Sequence, residues 1–201
     1  MITTCFFDLG NVLVSFSHDK MWRQLSQVCQ LPEQTLKDLC APLWPKYECG
    51  HLSTEEVFSY LQNFAPISIA YKEVALAASD IFEERPEMTK LLYTLKKNSL
   101  QLILVSNTCD IHYNHLRKLY SFFDLFDHLI LSYELRIAKP SSGIFQKALE
   151  KAQLLDHPHH GLFIDDIAEN VLSAQQLGIQ GHVFKDVVSL QQEFIKLKVK
   201  L

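Results

Sequence analysis

Residues Cys5-Phe6-Phe7-Asp8-Leu9-Gly10-Asn11-Val12-Leu13-Val14 place a single carboxylate between two apolar runs near the start of the chain. A buried, unpaired carboxylate loses too much hydration to persist, so residues 2–7 read as a short buried strand. Its carboxyl end presents Asp8 to a cation or a reactant. The competing reading is a surface Asp ahead of a Gly-Asn turn, and only the rest of the chain decides between them.

Moving outward, residues 19–80 carry helical spacing, with Met21, Trp22, Leu25 and Val28 on one stripe and Leu36 and Leu39 on another. Ser53 followed by Glu56 marks a helix start, and a further helix is expected over 69–81. No strand pattern interrupts this block, which reads as an all-helical insertion with hinges at Ser15-Phe16-Ser17-His18 and Glu83-Glu84-Arg85-Pro86. Beyond Pro86, helices alternate with short apolar strands near 100–105, 128–132, 161–164 and 180–184. Such alternation implies an α/β fold: a doubly wound, Rossmann-like parallel sheet, here with residues 1–16 and 84–201 as the core and 17–83 as an inserted helical domain.

The 201 residues suffice for that arrangement, and a hydrophobic content of 48% supplies its core. A net charge of −4 leaves no basic footprint for nucleic acid. Five cysteines, odd in number and without a C-x-x-C pair, argue against a zinc knuckle or disulfide framework and fit a reducing, cytoplasmic setting. Neither a signal peptide nor an apolar run of about 18 residues is evident, so no membrane span is expected.

In a doubly wound sheet, chemistry gathers beyond the carboxyl ends of the strands. Asp8 follows the first strand, Ser106 and Asn107 the second, and Asp165-Asp166 the fourth, while Lys139-Pro140 lies just past the third. Three crowded carboxylates repel one another unless a divalent cation neutralises them, and carboxylate and carbonyl oxygens are the ligands Mg²⁺ prefers. Phosphoryl transfer suits the set. Asp8 would attack phosphorus while Ser106, helix-start N–H groups and Lys139 balance the phosphate charge.

In this order and at these strand ends, Asp8, Ser106, Lys139 and Asp165-Asp166 resemble the four motifs of the haloacid dehalogenase superfamily. The insertion sits where that superfamily carries its helical cap, and Tyr47-Glu48-Cys49-Gly50-His51-Leu52-Ser53 is similar to a cap segment common there. The resemblance is nearest to its sugar-phosphatase-like branch. It implies a Mg²⁺-dependent phosphatase acting on a small phosphorylated metabolite, with Asp8 as nucleophile and Asp8, Asp165, Asp166 and the Gly10 carbonyl as metal ligands. Ser106, Asn107 and Lys139 are implied as phosphate-binding groups, and Lys139 also as a catalytic one. Phosphatases of the superfamily usually carry a second Asp two residues after the nucleophile, as general acid and base. Gly10 stands there instead, which raises an alternative, a slow metal-binding module used for regulation or contact. A dehalogenase fits less well, because that class has an aromatic at this position and a less acidic fourth motif.

Elsewhere, His112 and His115 read as helix surface, and His157, His159 and His160 as solvated loop. Cys109 is expected near the pocket without activation. Trp44 and Tyr47 are core residues by default and candidate substrate contacts from the cap.

Overall fold

The structure is a computed structural model that describes residues 1–201. The chain runs β1 (Thr4–Phe7), β2 (Val14–Phe16), α1 (His18–Cys29), α2 (Glu33–Cys40), α3 (Trp44–Glu48), α4 (Thr54–Gln62), α5 (Tyr71–Ser79), β3 (Phe82–Glu84) and α6 (Pro86–Lys97). It continues through β4 (Gln101–Ser106), α7 (Asp110–Leu119), β5 (His128–Leu131), α8 (Ser132–Leu135), α9 (Ser142–Ala152), β6 (Gly161–Asp165), α10 (Ala168–Gln176), β7 (Gln180–Val183) and α11 (Val187–Lys196).

All five expected core strands form one parallel sheet in the order β5-β4-β1-β6-β7. β1 is central, with Phe7 in register with Leu104 on one side and Ile164 on the other. Alternate residues serve opposite faces. Cys5, Phe7, Leu102, Leu104 and Ile164 pack into one apolar cluster, whereas Phe6, Ile103, Val105 and Phe163 pack into another. Burial on both faces is why these strands read as unbroken apolar runs. The chain winds from β1 through β4 to β5 on one side, then crosses to β6 and β7 on the other. The crevice where direction reverses therefore lies between β1 and β6, which end at Asp8 and Asp165.

The inserted helices have a cluster of their own, built on Met21, Leu25, Leu36, Leu61, Val74 and Ile81. We propose on that basis the division into residues 1–16 with 84–201 and residues 17–83. Ser53 caps α4 in both directions, its hydroxyl taking the Glu56 N–H while the Glu56 carboxylate takes the Ser53 N–H.

One reading of the connections changes. The two presumed hinges pair as an antiparallel ribbon, with Val14 opposite Glu84 and Phe16 opposite Phe82. Three-residue strands are too short to show a period, and this pairing joins distant parts of the chain. The short helix α3 also goes unread in the sequence. No helix is long and apolar enough to cross a membrane.

Candidate active site

Asp8 and Asp165 stand at neighbouring strand ends, and Lys139, from the loop between α8 and α9, reaches both. Its Nζ lies 2.6 Å from Asp8 Oδ1 and 2.7 Å from Asp165 Oδ2, and all three residues are buried. The same ammonium sits 5.6 Å from the centre of the Phe163 ring. Asp165 is held further by the Ile167 N–H at 2.8 Å and by Asn170 Nδ2 at 3.1 Å from each carboxylate oxygen. Asp166 accepts from Asn11 Nδ2 at 3.0 Å. Asn11 has φ +54°, a left-handed turn that Asn tolerates better than most residues, and this turn aims its amide at Asp166.

Carboxylate oxygens of Asp8, Asp165 and Asp166 lie within 4.8 Å of one another. One ammonium faces three acids. Burial pushes the Asp8 carboxyl up to about 7, with Lys139 opposing the shift and Asp165 adding to it. Burial alone would lower the Lys139 ammonium, but Asp8 and Asp165 overcome that and raise it. A cluster this short of positive charge, made of hard oxygen donors, fits a divalent cation such as Mg²⁺. Gly10, whose carbonyl is the remaining expected ligand, lies on the wall of the adjoining cavity.

Residues 2–178 match the family of haloacid dehalogenase-like hydrolases. The chain belongs to that family. It is similar to a D-ribitol-5-phosphate phosphatase of Bacteroides thetaiotaomicron, with 27% identity over 191 residues covering 90% of each chain. A sesquiterpene phosphatase of Aspergillus oryzae is 24% identical over 198 residues, covering 95% of this chain and 94% of the relative. Among solved structures, a haloacid dehalogenase family enzyme of B. thetaiotaomicron in complex with magnesium and inorganic phosphate superposes with a TM-score of 0.81 at 26% identity. That match covers 94% of this chain and 99% of the other.

Within this hydrolase the other expected site residues fall unevenly. Ser106 is buried at the end of β4, and its hydroxyl meets only the Asn107 carbonyl at 3.4 Å. The Asn107 side chain does not face an anion. Its Nδ2 donates to the Lys139 carbonyl at 2.9 Å and its Oδ1 accepts from the Lys139 N–H at 2.8 Å, so it fixes the lysine's backbone. The free group at Asn107 is its own N–H, which has no backbone partner.

Trp44 borders a cavity of about 60 Å³ together with Leu9, Gly10, Phe16, Ser106 and Asn107. By the ~10–15 Å³ that one water needs, that is room for a few waters. Tyr47 does not reach it. A buried phenol needs partners, and Tyr47 finds them in the Thr54 hydroxyl at 2.7 Å and Asp110 at 3.0 Å, tying the cap to α7.

His112 is also not helix surface. It is buried against Trp44 and Phe82, with Nε2 3.1 Å from the Ala78 carbonyl, because cap residues cover the start of the α7 stripe that Leu116 continues into the core. Cys109 is buried and its thiol is pushed up to about 12 by that burial, consistent with an unactivated cysteine. His157, His159 and His160 sit at a short 3₁₀ turn before β6, none of them buried.

Three groups outside the expected set also shape the site. Phe16 projects from β2 onto Gly10, and Glu48 comes from the end of α3. Ser132 joins the cap to the core: its hydroxyl donates to the Glu48 carbonyl at 2.6 Å and accepts from the Thr108 N–H at 2.9 Å. Ser132→Ala leaves both partners unsatisfied in a buried seam. The expected loss is about 1–3 kcal/mol, or roughly 2–12 °C in a thermal unfolding scan. A scan unchanged to within a degree would show that the seam is not held this way.

Proposed function

We propose that this chain is a Mg²⁺-dependent phosphomonoesterase acting on a small phosphorylated metabolite through an aspartyl-phosphate on Asp8. The observation that carries the reading is Lys139 bridging Asp8 and Asp165 beside Asp166, in the crevice where the sheet reverses direction. The phosphatase relatives and the magnesium and phosphate complex of the Bacteroides enzyme support it.

When bound, Mg²⁺ would neutralise the carboxylates and a phosphate oxygen together. The protein's own groups do the rest. Asp8 attacks phosphorus in line as the bond to the alcohol oxygen breaks, and Lys139 holds the attacking carboxylate in place. Ser106 and the Asn107 N–H offer donors to the phosphate oxygens, while Asn170 and Asn11 orient Asp165 and Asp166.

The two named relatives share a phosphatase activity and differ in what carries the phosphate. Phosphorylated sugars and polyols come first in our reading, and terpenyl phosphates form the comparison arm. A panel of both with Mg²⁺ is expected to give turnover that EDTA removes and excess Mg²⁺ restores. Mg²⁺ at about 100 times its Kd should also stabilise the fold by about 2.7 kcal/mol. Stabilisation without turnover on any substrate would favour the slow metal-binding module that Gly10 first suggested.

A further inference from the structure

Gly10 leaves the reaction without an acid for the departing alcohol, and the Phe16 ring crowds the position where such a side chain would begin. A Cβ at residue 10 would lie 2.9 Å from that ring. Any proton donor must come from another wall of the cavity. Among the residues lining it, Glu48 carries the one carboxylate. Of the imidazoles there, His112 is committed to the Ala78 carbonyl, which leaves His18, an exposed residue packed on Phe16 and Trp44, as the rival.

Although Glu48 belongs to the cap, it is pinned to the core. Ser132 holds its carbonyl and, through the Thr108 N–H, the loop after β4. Two residues on, Gly50 has φ +64°, and a Cβ there would lie 2.0 Å from the Tyr133 carbonyl oxygen, an approach only glycine permits. Burial raises the Glu48 carboxyl above its ordinary range, with the Trp44 indole and Lys139 opposing the shift.

We propose that Glu48 is the general acid and base of this hydrolase, supplied by the cap in place of a side chain at residue 10. The proposal rests on the phosphatase reading above. In the first step Asp8 forms its bond to phosphorus, the P–O bond to the alcohol breaks, and the alcohol oxygen takes the Glu48 proton. In the second, the Glu48 carboxylate takes a proton from water as the water oxygen attacks phosphorus. The Asp8–P bond breaks, releasing inorganic phosphate, and both carboxyl groups return to their starting states.

The test is Glu48→Gln, which keeps the length and polarity of the side chain but cannot release a proton, assayed in single-turnover and burst experiments with Mg²⁺ on an alkyl and an aryl phosphate. A phenolate needs no proton to leave. The aryl ester is therefore expected to give a burst of one phenolate per chain at close to the parent rate, followed by slow turnover as phosphoenzyme accumulates. Alcohol release from the alkyl ester should slow by about 10²–10⁴-fold. Equal slowing of both first steps, or none, overturns the proposal, as does the same selective pattern in His18→Gln with Glu48→Gln unaffected. Should Glu48→Gln fail to fold, Glu48→Asp must show the selective loss in weaker form. No turnover by the parent on either ester overturns the phosphatase reading and this proposal together, whereas turnover that needs Asp8 but not Glu48 overturns this proposal alone.

Discussion

Asp8→Asn is expected to remove turnover by roughly 10⁴-fold or more while leaving the fold in place, because an amide cannot displace the alcohol from phosphorus. The fold should survive for a reason visible in the site. Lys139 keeps its bond to Asp165, and the substitution removes a carboxylate that burial already disfavours. A stopped assay on the best substrate of the panel, with unfolding scans run alongside, checks both halves. Retained activity with unchanged metal dependence would mean that another group is the nucleophile. Trapping radiolabelled phosphate on the parent chain but not on the variant would place the covalent step at Asp8.

Lys139→Met should be strongly destabilising. It removes the one cation between two buried carboxylates that lie 2.6 and 2.7 Å from it, leaving Asp8 and Asp165 to repel each other out of contact with water. Breaking a buried ion pair from one side costs about 3–5 kcal/mol, or roughly 6–20 °C in Tm for a chain of this size. The loss should be largest without divalent cations and should narrow as Mg²⁺ is added, since a metal among the same carboxylates supplies part of the missing charge. A variant within 2 °C of its parent (~0.5–1 kcal/mol by the same conversion) would show that Lys139 is not what holds the acids together. Activity should fall with it, by roughly 10³-fold, because the attacking carboxylate loses its orientation.

The sheet and its acids were readable because both depend on local pattern. Each central strand is an unbroken apolar run, and a polar residue directly after one lands at a strand end by chain geometry alone, as Asp8, Ser106 and Asp165 do. Ser53 and Glu56 announced their helix start by the same local logic. What escaped reading comes from docking between distant parts of the chain. Glu48 meets Ser132 across 84 positions, and nothing near either residue signals the other. His112 looked like surface because of its residue type, yet it shares the buried stripe of α7 with Leu116 four positions on, and the cap covers that end of the helix. Asn107 had the right type and place for phosphate, yet its amide has a nearer partner in the Lys139 backbone.

The pairing of β2 with β3 has a mechanical consequence. Two independent linkers would let the helical insertion swing and slide in any direction, but strands bonded side by side make both crossings one leaf spring, stiff against shear and compliant mainly in bending and twist. Phe16 is the last residue of that spring on one strand and rests against Gly10, two positions from the nucleophile. Any bending of the ribbon would therefore shift the Phe16 ring against Gly10, so that the cavity wall and the packing two positions from Asp8 would change together.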